Sequence, residues 1–322
     1  MIIYLEEVKM SEFKNYRQGV NLGGWLSQCV HTREHYDSFI IEDDIKTLST
    51  WKIDHLRLPI DYDLLEDVEG NRIESGYAYI QNTIDWCRKY NLNLILDLHK
   101  TFGYSFDDGE HEEGFFDNES YQERFYKLWE DLAGKFGNCG DSIAFELLNE
   151  VTAKEYCDEW NRISYECIRR IRKIAPTVTI LVGGYYNNSV TAVKDLAMPY
   201  DENIIYNFHF YEPLKFTHQG APWVPDMDTE FRMHFEDSGA TESYVEGLFA
   251  SALETAKERN VRLYCGEYGM IDRADGEDAF KWYSLIHRIF DKYDIGHAAW
   301  SYKEMDFGLT GDYLTKVRET FF

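Results

Sequence analysis

The sequence predicts a single (β/α)8 barrel on three observations: eight short apolar runs, helix-period stretches between most of them, and polar residues at the C-terminal ends of several runs. In chain order the runs are 19–25 (GVNLGGW), 54–60 (DHLRLPI), 92–99 (LNLILDLH), 143–150 (IAFELLNE), 178–184 (VTILVGG), 204–211 (IIYNFHFY), 262–269 (RLYCGEYG) and 296–302 (GHAAWSY). Their near-continuous Leu, Ile and Val content suits strands of a parallel sheet covered on both faces. Helical periodicity marks 42–52, 77–90, 120–136, 154–174, 243–260 and 278–293 between them. An open doubly wound sheet fits this alternation less well, and no GxGxxG follows the first run.

The chain has 322 residues and no Pro/Gly/Ser-rich linker, internal repeat or low-complexity tract, so residues 1–322 read as one domain with an N-terminal extension over 1–15. Its 33 Lys and Arg against 58 Asp and Glu leave a net charge of −25. That field repels phosphate backbones and anionic membranes, which removes nucleic acid and membrane surfaces from the expected partners. Six cysteines form no CxxC pair and read as free thiols rather than a zinc or disulfide framework. The N-terminal MIIYLEEVKMSEFKNY has no basic region, long apolar core or cleavage site, so a cytoplasmic location is expected, with secretion the alternative if this N-terminus is not native and Met10 a second candidate start; a monomer is the expected state.

In a barrel of this kind the reactive face is formed by the C-terminal strand ends. The runs place Arg57, His99, Asn149, Glu150, His209, Tyr211, Glu267 and Trp300 there. Each alone has an ordinary structural explanation, but together they point into one cavity. Glu150 and Glu267, from the fourth and seventh runs, face each other across the mouth. Opposed carboxylates are what glycoside hydrolysis requires: one protonates the leaving oxygen, the other attacks or activates water. The acid is kept protonated by burial and the neighbouring negative charge, the nucleophile ionised by Arg57 and the Tyr211 hydroxyl. Aromatics make up 16% of the chain, enough to supply flat stacking surfaces for sugars. Trp25, Tyr104, Tyr186 and Trp223 are the first candidates, with Tyr62, Phe102, Phe106, Phe115, Phe116 and Tyr185 nearby in sequence.

The segments GVNLGGW, HLRLPIDY, LILDLHK, FELLNE, IIYNFHFYEP with FTHQGAPW, YCGEYG and AAWSYKEMDF resemble glycoside hydrolase family 5, the large cellulase family of clan A. Across NLGGWLSQ, residues 39–44 and WCRKYNL, the chain is similar to the bacterial endoglucanase C branch. This resemblance implies a retaining enzyme with Glu150 as general acid/base and Glu267 as nucleophile. It further implies that Asn149 binds the sugar 2-hydroxyl, that Arg57 and Tyr211 partner the nucleophile, and that His99 and His209 line the subsite over a Trp300 platform. The carboxyl groups are then expected about 5–5.5 Å apart. The implied substrate is a β-1,4 or mixed β-1,3/1,4-glucan or its oligosaccharides, without a cofactor; mannan, glucomannan, xyloglucan and β-1,3-glucan are alternatives.

Two departures stand out. Relatives often carry a second His where this chain has Lys100, which reads either as a solvated rim charge or as the partner of an acid. The segment 212–242 is short for a branch whose members carry an inserted subdomain there, which implies an open cleft. The acidic DDGEHEEGFFDN at 107–118 reads as a mobile cleft-edge loop, with weak metal affinity as the lesser alternative. Two other classes remain open at this point. A metal-dependent barrel hydrolase could use His99, His209, Asp97, Glu150 and Glu267, although no run offers an HxH pair. A non-catalytic sugar-binding barrel would not need two opposed carboxylates.

Overall fold

Eight strands pair in parallel, in chain order, and β8 closes onto β1: β1 Gln18–Asn21, β2 His55–Asp61, β3 Asn93–Lys100, β4 Ile143–Glu146, β5 Thr179–Gly183, β6 Ile204–His209, β7 Arg262–Glu267 and β8 Gly296–Ala299. This computed structural model describes residues 13–107 and 112–322. Residues 1–12 of the N-terminal extension, and 108–111 of the acidic loop expected to be mobile, lie outside the described residues.

Helices Glu42–Leu48, Glu74–Lys89, Glu119–Phe136, Cys157–Arg172, Glu242–Arg259 and Gly276–Tyr293 occupy the six helix-period stretches. Their ends have local causes. Asn118, Thr241 and Asp275 accept hydrogen bonds from first-turn amides, and Asn260 and Asp294 stop their helices in the left-handed conformation. Between β5 and β6 the chain makes only short turns, including the 3-10 segment Val190–Asp195. Among the described residues no helix is long and apolar enough to cross a membrane.

The barrel interior changes character along its axis. Near its N-terminal end Ile95, Ala144, Leu181, Ile205, Tyr264 and Ala298 pack together under Tyr16 and Phe13, whose rings stack at 4.2 Å. One step up, the inward positions are Asn21, Arg57, Asp97, Glu146 and Asn207, all fully buried. An apolar plug therefore carries a charged layer, and the charged layer carries the mouth. The main core lies between the barrel and its helices, with Trp25, Trp129, Trp160 and Trp282 among its largest side chains.

Three apolar runs extend three residues or more beyond their strands. The fourth leaves the ladder at Glu146; Asn149 N still donates to Leu98 O at 3.0 Å, but Glu150 turns to φ 42°. Glu150 thus stands four residues past the strand rather than at its end. Likewise β1 stops at Asn21 and β8 at Ala299, so Trp25 and Trp300 sit in the following loops. Past the end of β6, residues 212–242 hold the helical turn Leu214–Thr217 and the 3-10 turn Phe235–Asp237.

Candidate active site

Arg57 is the hub of the charged layer. It reaches Glu146 through two parallel bonds, Nε to Oε2 at 2.7 Å and Nη2 to Oε1 at 2.8 Å. Nη1 donates to Asn21 Oδ1 at 2.9 Å and to Glu267 Oε1 at 2.7 Å; Nη2 also approaches Asn149 Oδ1 at 2.9 Å and Asp97 Oδ2 at 3.1 Å. Burial works against its charge, but Asp97, Glu146 and Glu267 outweigh it and hold the guanidinium well above its ordinary pKa. Glu146 is pushed up by burial despite Arg57, and Asn207 Nδ2 donates to its Oε1 at 2.7 Å. Only arginine's planar fork can serve so many acceptors in one layer.

Glu267 closes β7 with its carboxylate held on both oxygens. Arg57 holds Oε1, and the Tyr211 hydroxyl donates to Oε2 at 2.9 Å. Burial, then Glu267, raises the Tyr211 hydroxyl far above its usual pKa, so it stays a donor. Gly266 permits this crowding: a Cβ there would lie 2.8 Å from Asn207 Oδ1 and 3.0 Å from His209 Nε2.

Glu150 faces it. Its Oε1 lies 2.7 Å from His209 Nδ1, and its Oε2 accepts from Asn187 Nδ2 at 3.0 Å. Burial pushes its carboxyl up to about 7 against the opposing pull of Asn187 and Arg57. Burial also lowers His209 to about 4, so the imidazole is neutral at pH 7. His209 Nδ1 is 3.6 Å from Glu267 Oε2, and the donor atoms of Glu150, His209 and Glu267 all lie within 4.8 Å of one another.

His99 is pushed down to about 3 by burial and shares its Nδ1 proton with Asp97 at 2.5 Å, leaving Nε2 as an acceptor. Its ring lies parallel to Trp300 at 5.8 Å between centroids, with Phe106 edge-on at 4.9 Å. Trp300 also needs Gly23, whose Cβ would fall 2.7 Å from its ring. Asn149 Nδ2 is buried and has no partner among the described residues, while its Oδ1 is fixed by Arg57. All eight predicted site residues therefore meet in one mouth.

Several expectations need correction. Lys100 is buried, not a solvated rim charge, and pairs with Asp107 at 2.9 Å. Trp25 is a core residue stacked on Trp86. Tyr104 is equally unavailable as a platform: its hydroxyl donates to Glu150 O at 2.6 Å and accepts from Thr152 N at 2.9 Å, strapping the loop that carries Glu150. Phe115, Phe116 and Tyr185 are buried as well. Arg124 lies over Phe102 and near the half-buried Tyr62. Tyr186 and Trp223 are exposed, at 55% and 50%, with the Arg273 guanidinium 5.9 Å from the centre of the Trp223 ring.

Sequence reasoning missed Asn21, Glu146, Asn207 and Asn187, and weighed Asp97 only as a metal ligand. The first three carry a readable signal, a polar residue inside an apolar strand. Asn187 carries none, because its position depends on a loop conformation.

Comparisons with known proteins give the chain its family and fold. The family described as cellulase, glycosyl hydrolase family 5, matches residues 14–306. Cellodextrinase A of Ruminococcus flavefaciens is 54% identical over 278 residues, covering 86% of this chain and 83% of that protein. Endoglucanase C of Acetivibrio thermocellus is 38% identical over 320 residues, covering 91% and 93%. Among solved structures, Thermotoga maritima Cel5A in complex with mannotriose superimposes with a TM-score of 0.82 at 23% identity, over 96% of this chain and 100% of that one. The cellulose synthase subunit Z of Clostridioides difficile does so with a TM-score of 0.81 at 23% identity, over 94% and 98%. A barrel whose opposed glutamates sit above a buried arginine thus has its place by descent: the chain belongs to glycosyl hydrolase family 5, on the side of its endoglucanase C and cellodextrinase A relatives.

Proposed function

We propose that the chain is a retaining endo-β-glucanase acting on β-1,4 or mixed-linkage β-1,3/1,4-glucan and its soluble oligosaccharides, with Glu150 as acid/base and Glu267 as nucleophile. The observation that carries the mechanism is the approach of the two carboxylates, with donor atoms within 4.8 Å. One oxygen of each carboxyl within that reach suits double displacement, whose carboxyl groups stand ~5–5.5 Å apart, whereas an inverting pair is held ~6.5–9.5 Å apart to seat a water.

In the first step Glu267 Oε attacks the anomeric carbon while Glu150 gives its proton to the departing glycosidic oxygen. The C–O bond breaks and a glycosyl ester forms on Glu267. In the second step Glu150, now ionised, takes a proton from water. The resulting oxygen attacks the same carbon and expels Glu267 as a carboxylate. Asn149 Nδ2 is the donor available to the sugar 2-hydroxyl, and Trp300 offers the ring beneath it. Arg57 and Tyr211 spread the returning negative charge.

The names of the two relatives support β-glucan over mannan, and cellodextrinase A at 54% identity supports short, soluble substrates. Release of reducing ends from mixed-linkage glucan, carboxymethylcellulose, cellodextrins, laminarin, glucomannan, galactomannan and xyloglucan, with Glu267→Ala as control, tests this reading. Preferential release from a β-1,4-containing glucan, abolished in the control, supports it; preferential release from galactomannan or laminarin overturns the substrate assignment.

A second reading has one observation behind it. The Glu150, His209 and Glu267 donor atoms converge closely enough to hold a divalent cation. Activity lost to a chelator and restored by one metal would favour it over double displacement.

A further inference from the structure

The loop after β5 contains three consecutive residues in the left-handed region, Tyr186 at φ 52°, Asn187 at φ 57° and Asn188 at φ 55°. Asparagine tolerates this conformation better than most residues, but three in a row, one of them tyrosine, is costly backbone kept by its surroundings. The contacts show what keeps it. Tyr186 N donates to Thr152 O at 3.2 Å and Asn187 N to Val151 O at 3.0 Å, so the turn is bonded to the two residues that follow Glu150. Glu150 is itself left-handed, at φ 42°. Two unusual backbone segments are thus latched to each other. Across the latch Asn187 Nδ2 donates to Glu150 Oε2, while Asn188 Nδ2 lies 3.4 Å from His209 Nε2.

We propose that Asn187 is a positioning residue for the proton donor, fixing the plane of the Glu150 carboxyl from the side opposite His209. The inference rests on the assignment of Glu150 as acid/base. His209 holds Oε1 and Asn187 holds Oε2, which leaves the carboxyl little freedom to rotate. A side-chain amide nitrogen can only donate, and it donates more strongly to a carboxylate than to a carboxylic acid. The other groups facing Glu150 are Arg57 from β2, Asp97 from β3 with Tyr104 and Asp107 after it, Glu146 from β4, His209 from β6, Tyr211 just past β6 and Glu267 from β7. Burial, Asp107 and Glu146 push the carboxyl up; Asn187 and Arg57 oppose them. Asn187 is the exposed member of the opposing pair, at the edge of the cleft.

Asn187→Gly and Asn187→Asp test this without disturbing the turn, because both replacements accept a positive φ. The readout is the pH profile of kcat/KM on a cellodextrin, whose leaving group needs the proton, with thermal unfolding as the folding control. The Gly variant should move the alkaline limb up by about 0.5–1 pH unit, and the Asp variant further, because it places a like charge beside Glu150. Unchanged alkaline limbs in both folded variants overturn the proposal. Glu150→Gln, assayed in parallel on an activated aryl glycoside and on the cellodextrin, separates the two levels of argument. Loss on the cellodextrin alone upholds the acid/base assignment, so a failure of the Asn187 variants then counts against Asn187. Equal loss on both substrates removes the assignment, and the proposal with it.

Discussion

Arg57 Nη1 and Glu267 Oε1 stand 2.7 Å apart, and through the same guanidinium Glu267 is joined to Glu146, Asp97, Asn21 and Asn149. One fully buried cation therefore orients the carboxylate proposed as nucleophile and the amide proposed to meet the sugar. Arg57→Lys should keep a positive charge but lose the fork, lowering kcat by about 100-fold or more. Arg57→Ala leaves buried acids without their cation and should cost about 3–5 kcal/mol of stability. Denaturant unfolding and steady-state kinetics on the two variants check both effects. Near-normal kcat in Arg57→Lys would show that the fork is dispensable.

Tyr211 holds the other oxygen of Glu267. Tyr211→Phe removes one hydroxyl and little else, so kcat should fall by about 10–100-fold with a stability change near 1 kcal/mol. A loss confined to KM would place Tyr211 in substrate binding instead.

As the proposed acid/base, Glu150 should set the pH dependence. Its carboxyl is raised from 4.5 to about 7, so activity on poor leaving groups should decline above pH 7 as the proton is lost. The same shift has a stability consequence. A carboxyl whose folded pKa is raised contributes stability that is complete below pH 4.5 and lost as pH rises to about 7. Glu150→Gln has no such loss. Relative to the parent it should gain up to about 3 kcal/mol between those limits. Thermal or denaturant unfolding of both proteins at pH 4.5 and pH 8 measures the difference, and a gap that stays constant would refute the raised pKa.

The aromatics divide by burial. Trp25→Ala should destabilise the fold by about 3–5 kcal/mol, because the ring is fully buried against Trp86. Tyr186→Ala and Trp223→Ala should leave stability nearly unchanged and raise KM several-fold, more for long cellodextrins than for short ones. Equal KM values for wild type and both exposed-residue variants, across chain lengths, would exclude them from the cleft.

The eight strands and six of the helices were legible because a parallel barrel buries both faces of its strands and leaves long apolar runs. The eight mouth residues were legible only together: each alone has an ordinary structural explanation, but they recur toward the C-terminal ends of different runs. The rest of the layer beneath them was missed, although its polar residues interrupt apolar strands. Glu146 lies inside the FELLNE run and reads as an interruption of a core strand until Arg57 is seen to bond it twice. Trp25 and Tyr104 misled because a loop aromatic after a strand end looks the same whether it faces sugar or anchors the loop. Asn187 was invisible because its role comes from three left-handed residues, a conformation no periodicity announces.

The most direct test of the account is capture of the covalent intermediate. A 2-deoxy-2-fluoro cellobiosyl substrate with an activated leaving group slows both steps but departs readily in the first, so the ester should accumulate. Mass spectrometry should then find one added glycosyl unit on the peptide containing Glu267, with activity lost in step with labelling. A label on Glu150, or an unlabelled enzyme that releases product of inverted configuration, would contradict the account.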